Sequence, residues 1–213
     1  MLDGILIRVF DEHAREYDSW YLQHPSIFES EARAIEALRP LGLGLEGGVG
    51  TGVFARRLGV GVGMDPSRGM LQFARARGVQ VVRAVAEHLP FRGEAFDFVL
   101  LAGTLCFVKE PDATVRETRK VLKDGATLIV CEIPSDSTWG RLMEEKGRAG
   151  HRFYRYAKLY TTKEVRRMLE NSRFKVVDAR ATLASGPEED ERLEEPSDCT
   201  EERSFICLSA VKT

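Results

Sequence analysis

No stretch of the 213-residue chain approaches the ~20 consecutive apolar residues that a membrane-spanning helix needs. The opening residues, Met-Leu-Asp-Gly-Ile-Leu-Ile-Arg, have neither a long apolar region nor a small-residue cleavage site and turn charged at once. The expectation is a cytoplasmic protein with no membrane partner. Charge of one sign is also missing. With 31 Lys and Arg against 33 Asp and Glu the net charge is −2, so no global basic field holds a polyanion and nucleic acid is not expected as a partner. Cysteine is sparse, and Cys106, Cys131, Cys199 and Cys207 show no C-x-x-C spacing. They read as reduced packing residues rather than metal ligands, and no metal is expected. What remains, 43% hydrophobic and 30% charged, is an ordinary composition for one domain with a sizeable core.

Glycine is plentiful in one place. Leu43-Gly-Leu-Glu46-Gly-Gly48-Val-Gly50-Thr-Gly52 is an apolar run that meets an acid and then a turn made almost wholly of glycine. Glycine accepts positive φ and lets a ligand lie against bare backbone, so the spacing marks a strand turning sharply into a helix, Val53 to Leu58, over a bound molecule. Gly50-Thr-Gly52-Val-Phe-Ala55 also fits the dinucleotide pattern G-x-G-x-x-G/A, which alone is weak evidence. Glu46 separates the two readings. A carboxylate about 5 Å from a pyrophosphate charge costs about 3 kcal/mol at an effective dielectric near 20. The same carboxylate favours an ammonium and a sulfonium. S-adenosylmethionine carries both and has no phosphate, so acid-x-Gly-x-Gly-x-Gly reads as a methyl-donor site.

Around that turn the chain alternates. Residues 5–22 read as one unusually aromatic helix with Phe10, Tyr17, Trp20 and Tyr21, either core padding or a lid. Ser26-x-x-Glu29 reads as a capping box for a second helix that Pro40 ends. Strands at 60–64, 79–84, 96–101 and 126–133 are apolar runs, as in a parallel sheet covered on both faces. Ser67 caps the helix carrying Met70, Gly78 stops it, and Pro111 opens a helix that Asp124-Gly125 terminates. Residues 135–160, polar and then aromatic, are long enough for a cap over the site. Thr161-x-x-Glu164 opens a last helix, two strands close the chain at 174–179 and 205–211, and the acidic stretch 185–203 reads as a solvated loop.

The chain resembles the class I S-adenosylmethionine-dependent methyltransferases, most closely the small-molecule type that includes the ubiquinone and menaquinone methyltransferases. The likeness rests on ordered motifs: Phe10-Asp-x-x-Ala14-x-x-Tyr17-Asp-x-Trp20, Glu46-x-Gly48-x-Gly50-x-Gly52, Gly63-Met-Asp65-Pro66-Ser67-x-x-Met70, Ala86-Glu87-x-Leu89-Pro90-Phe91 and Phe96-Asp97. It implies an α/β fold, a Rossmann-like doubly wound sheet, mostly parallel with an antiparallel last strand and helices on both faces. It also implies one methyltransferase domain over 1–213, with N-terminal helices or lid in 1–40, a donor-binding core in 41–133 and a cap with closing strands in 134–213. Carried over residue by residue, the donor would meet Tyr17, Glu46, Gly47, Gly48, Gly50, Thr51 and Gly52. Asp65 would accept from the ribose hydroxyls, with Pro66 beside it at the donor, Met70 would lie against the adenine face, Ala86 and Glu87 would border its edge, and Ala102 and Gly103 would lie beside the methionine moiety. Two departures stand out. Val85 replaces the acid that many relatives place before Ala-Glu, and Cys106-Phe107-Val108 stands where relatives often show Glu-His-Val.

Methyl transfer is in-line displacement at a carbon already activated by sulfur, so alignment matters more than a strong acid or base. Of His13, His24, His88 and His151, the last is the better candidate base, with Tyr154 beside it in the cap segment. Trp20, Tyr21, Phe107, Trp139 and Tyr154 are candidate walls of a pocket for a small, partly apolar acceptor. Three alternatives remain open on the sequence: an NAD(P)-linked oxidoreductase, a non-catalytic S-adenosylmethionine-binding module, and a nucleic-acid methyltransferase. The last is weakened by Leu-Ala-Gly-Thr-Leu at 101–105, which lacks the Asn/Asp-Pro-Pro-aromatic signature of adenine-N6 enzymes.

Overall fold

The computed structural model describes residues 2–39, 41–187, 189–198 and 202–213, and of residues 2 and 3 the backbone alone. Three helices come first, α1 (Leu2–Glu12), α2 (Ala14–Gln23) and α3 (Pro25–Glu36). Then strands and helices alternate: β1 (Gly44–Gly47), α4 (Val53–Leu58), β2 (Val62–Asp65), α5 (Arg68–Ala76), β3 (Gln80–Arg83), β4 (Phe96–Ala102), α6 (Pro111–Val121) and β5 (Leu122–Glu132). After these come α7 (Thr138–Arg148), a short 3-10 turn (Tyr154–Tyr156), α8 (Thr162–Asn171), β6 (Phe174–Thr182) and β7 (Phe205–Lys212).

The strands form one seven-stranded sheet in the order β3-β2-β1-β4-β5-β7-β6. Pairing is parallel from β3 to β5, and β7 runs antiparallel to both neighbours. Side-chain alternation along a strand sends successive residues to opposite faces. Phe98 and Leu100 of β4 therefore join one buried cluster with Ile35 of α3 and Phe54 of α4, while Val99 and Leu101 join the other with Val115 of α6 and Leu169 of α8. Glu46 is in register with Leu100, so it lies on the α3–α4 face.

Local signals explain several boundaries. Ser67 Oγ accepts from Met70 N–H at 3.1 Å and caps α5. Thr161 and Glu164 form a reciprocal capping box on α8, an interaction of about 1 kcal/mol. The same spacing at Ser26 and Glu29 forms no box. Pro25 occupies the first helical position, and Glu29 instead takes guanidinium bonds from Arg33 and Arg57, at 3.1 and 2.9 Å, which hold its carboxyl down near 2.

Other expectations are corrected. The first segment is two helices broken at His13, and α6 ends at Val121, where the chain enters β5 ahead of Asp124-Gly125. Pro40 and Cys199 lie outside the described residues. Cys131 and Cys207 are not reduced; they face each other across the β5–β7 pairing and form a disulfide, while Cys106 is a free buried thiol. Part of the acidic stretch is fastened rather than solvated: Glu194 accepts from Ala184 and Ser185 N–H at 2.8 and 3.0 Å and pairs with Arg203, and Ser197 bridges to Ala181. No helix among the described residues is long and apolar enough to cross a membrane.

Candidate active site

The carboxyl ends of β1, β2 and β4 open onto a cavity of about 310 Å³. An open α/β sheet binds its ligands at this edge. The glycine turn supplies the near wall. Gly50, at φ +52°, has open space where a Cβ would stand, the nearest side-chain atom being Tyr17 Cε1 at 3.9 Å. Gly52, at φ +79°, serves packing instead, because a Cβ there would come within 2.9 Å of the Ala74 backbone; its absence seats α4 against α5.

Asp65, at the end of β2, fixes this wall. Its Oδ2 accepts from Gly50 N–H at 3.0 Å and its Oδ1 from Ser67 N–H at 2.8 Å. Burial pushes its carboxyl up to about 6, against the lowering effect of those two bonds and with a further push from Asp11. Asp11, on α1, accepts from Ser67 Oγ–H and Gly69 N–H at 2.7 and 2.8 Å and so ties the N-terminal helices to the site. Arg77 ties α2 down as well, bonding Asp18 and the Thr51 carbonyl. Glu87 accepts from Lys109 N–H at 2.9 Å and shapes the loop after β4.

Of the residues expected at the donor, Tyr17, Gly48, Gly50, Asp65, Pro66, Met70, Ala86, Glu87, Ala102 and Gly103 come together on this cavity. Val85 is there too. Glu46, Gly47, Thr51 and Gly52 are not on its lining. Glu46 is 2% exposed, accepts a backbone bond from Ala55 and leaves Oε2 without a partner among the described residues. Burial raises its pKa well above the ordinary carboxylate value. The carboxylate expected to greet the ligand therefore sits behind the wall, under α4. Other residues give the cavity its charge: Asp65, Glu87 and Glu110 line it with a single lysine, Lys109, and His88. Such a lining suits a cation and opposes a diphosphate.

A second cavity, of about 290 Å³, adjoins the first and shares Tyr17, Ala102, Gly103 and Phe107 with it. Trp20, Tyr21, Trp139 and Tyr154, the other expected acceptor walls, all line it. Tyr17 is in edge contact with Phe10 and Phe153, and Phe10 with Phe107, so rings from α1, α2, the β4–α6 loop and the cap meet where the cavities join. Trp139 Nε1–H donates to the Ser185 carbonyl at 3.0 Å, which anchors α7 to the acidic stretch. Residues 135–160, where a cap is expected, contain α7 and the aromatic turn.

His151 also lines the second cavity, stacked on Tyr154 at 4.2 Å. Its Nδ1 accepts from Phe153 and Tyr154 N–H, both at 3.3 Å, and burial lowers its pKa. The neutral ring that satisfies both bonds carries its proton on Nε2. With Nδ1 taken by two backbone N–H groups and the proton on Nε2, the ring offers no free lone pair to act as a base. Burial raises the Tyr154 phenol, so it too stays protonated.

Sequence reasoning missed two acids of the second cavity, Glu31 and Glu132. Glu132 accepts from Thr104 and Leu105 N–H at 3.1 and 2.8 Å, and burial lifts it to about 7. Glu31 is lifted to about 8 by burial. Ile27 and Glu31 are four apart on α3, a spacing that places both on one stripe and was the available signal.

These buried acids set a pH dependence. An acid whose folded pKa exceeds its unfolded value binds more protons folded than unfolded between the two, so stability falls as pH rises across that window. For Asp65, Glu132 and Glu31 the windows run from the ordinary values of 3.8 and 4.5 up to about 6, 7 and 8. Glu29, held near 2, acts oppositely and only below 4.5, and His151, lowered by burial, acts oppositely below 6.5, but with one proton at most against those of three acids. The expected result is a melting midpoint that rises as pH falls from 8 to 5. Thermal denaturation across that range checks it, and a midpoint that climbs toward pH 8 would contradict the burial of these groups.

This sheet order, with β7 reversed and a glycine turn leading from β1 into a cavity backed by an acid at the end of β2, is the Rossmann-like architecture of class I methyltransferases. Comparison with known proteins agrees. The methyltransferase domain model matches residues 43–130. An uncharacterised protein of Methanocaldococcus jannaschii is 37% identical over 97% of this chain and 100% of its own length. The structure of a Thermotoga maritima protein, described as a SAM-dependent methyltransferase and possible histamine N-methyltransferase, superposes with a TM-score of 0.93 at 34% identity, covering 98% of this chain and 100% of that one. An uncharacterised protein of Mycobacterium tuberculosis is 44% identical over 82% of this chain, which spans 62% of that protein's length. The demethylmenaquinone methyltransferase of a Mycobacterium species is 31% identical over 64% of both. The chain belongs to the S-adenosylmethionine-dependent methyltransferases, and S-adenosylmethionine is the cofactor of that family.

Proposed function

We propose that this protein moves a methyl group from S-adenosylmethionine, bound in the first cavity, to a small molecule held in the second. The observation that carries the reading is the junction of the two cavities at Tyr17, Ala102, Gly103 and Phe107, with bare Gly50 backbone and Asp65 on the first one's wall. The residues fit the donor: an open glycine surface, a carboxylate at the end of β2, a thioether at Met70 and a lining with three acids against one lysine. When bound, the donor supplies a methyl on a positively charged sulfur, open to in-line attack.

The chain's own part is alignment and exclusion of water. Asp65 and Met70 hold the nucleoside end, and Ala102 and Gly103 leave room beside the reacting centre. Helix α1, pinned by Asp11, closes over the first cavity, and α2, pinned by Arg77, over both. In this reading the chain works as one methyltransferase domain, residues 1–40 serving as lid, 41–133 as donor core and 134–213 as cap and closing strands. The acceptor's apolar part lies against Trp20, Tyr21, Phe107, Trp139 and Tyr154. Neither His151 nor Tyr154 serves as base. Calorimetric titration with S-adenosylhomocysteine tests the assignment: one-to-one binding is the expected outcome, and absence of binding would overturn it.

A further inference from the structure

Glu31 is 5% exposed and lines the second cavity. The other buried acids near the site are engaged: Asp18 by Arg77, Asp65 by Gly50 and Ser67, Glu132 by Thr104 and Leu105, Glu46 by Ala55. No hydrogen bond or ion pair among the described residues engages the Glu31 carboxyl. Desolvating a carboxyl without a partner costs several kcal/mol if it is charged. A side chain left in that state on a cavity wall points to a ligand that completes it.

Its surroundings say which ligand. Tyr17 and Tyr21 on α2 and Tyr154 in the cap lie close enough that the Glu31 charge raises all three phenols. Trp20 and Trp139 line the same space. A carboxyl among aromatic faces is the chemistry that recognises an organic cation, because charge and ring quadrupole act in the same direction. An anionic acceptor would meet Glu31 and Glu132 together. Of the other charged groups on the lining, Glu16 is paired with Arg152, and Lys146 is the cation. A neutral acceptor would take at most one hydrogen bond from the protonated Glu31 carboxyl and would leave its capacity to pair with a cation unused.

We propose that Glu31 binds the acceptor, and that the acceptor is a small organic amine with an apolar or aromatic body, taken up as its ammonium ion and methylated on nitrogen. This rests on the donor reading above. Glu31 then takes one proton from the ammonium, and the neutral amine, free to invert at nitrogen and to rotate about its C–N bond, turns the lone pair so uncovered toward the first cavity. The new N–C bond is made as the methyl's bond to sulfur breaks with its electron pair returning to sulfur, and the positive charge passes from sulfur to nitrogen. No further reactant is needed. The raised affinity of Glu31 for protons, centred near 8, suits this exchange at neutral pH.

Calorimetry with 2-phenylethylamine, 2-phenylethanol and 3-phenylpropionate, on the protein alone and saturated with S-adenosylhomocysteine, tests it. The amine should bind at least about tenfold more tightly than the isosteric alcohol. Its binding at pH 7, compared in two buffers of different ionisation enthalpy, should release about one proton, because an acid protonated when empty becomes half of an ion pair. In Glu31→Gln the preference and the proton release should both vanish while S-adenosylhomocysteine affinity is kept. Equal affinities for amine and alcohol in the wild type, no binding of the amine, or a Glu31→Gln protein that retains the preference would overturn the proposal. The wild-type comparison stands even if the variant fails to fold. Loss of S-adenosylhomocysteine binding with the amine preference intact would strike the donor reading alone.

Discussion

Gly50→Val lowers affinity for S-adenosylhomocysteine by about a hundredfold or more, a change of about 2.8 kcal/mol, in a protein that still folds. The reason is geometric. Gly50 main chain is part of the cavity wall, and its missing side chain would stand in the space between the turn and Tyr17, 3.9 Å away. A valine fills that space with three carbons where the ligand must lie. It also sits badly at φ +52°, since a β-branched residue in the left-handed region is strained by about 1–2 kcal/mol. A domain with about 5–15 kcal/mol of stability survives that strain. Gly50→Ala, adding one carbon, should fall between wild type and valine. Calorimetry beside circular dichroism separates lost binding from lost fold, and normal binding by the valine variant would refute close approach to this backbone.

Asp65→Ala weakens the same ligand by about 1–3 kcal/mol, or about fivefold to 150-fold. Two losses combine. The carboxylate's remaining lone pairs are no longer offered to the ribose, and the Gly50 and Ser67 N–H groups that it binds at 3.0 and 2.8 Å lose their acceptor. The turn that forms the wall then loses its tie to the start of α5. Asp65→Asn keeps one acceptor oxygen and should recover part of the affinity. An unchanged dissociation constant in Asp65→Ala would mean that the ribose lies elsewhere.

Much of the first cavity, proposed to hold the donor, was legible because its chemistry is local. Glycines at alternate positions before a helix, an acid closing β2 and Ser67 before α5 each act within a few residues, and each has a physical meaning at short range. The α/β class with a parallel sheet followed from the alternation of apolar runs and helices, while the reversed last strand came only with the family resemblance. Where a signal needed a partner from elsewhere, the sequence was mute or misleading. Thr161/Glu164 and Ser26/Glu29 have the same spacing, yet Glu29 is captured by Arg57, 28 positions away. Cys131 and Cys207 are 76 residues apart, and the β5–β7 register alone brings them together. Glu46 shows the subtler failure. Its charge pointed to the right ligand class, but strand alternation turns it beneath α4, so the acids that give the cavity its character are Asp65, Glu87 and Glu110. Glu31 was hidden for a related reason. It reads as one more polar residue on a helix, and the packing of α3 against the sheet makes it a cavity wall.

Donor and acceptor readings alike depend on the crevice at the ends of β1, β2 and β4 receiving a phosphate-free nucleoside whose far end is cationic. The decisive experiment is a parallel titration of S-adenosylmethionine, S-adenosylhomocysteine and NADH into the unmodified protein. Saturable one-to-one binding of the first two and none of NADH is the expected result. Binding of NADH with no heat from the sulfur nucleosides would contradict it.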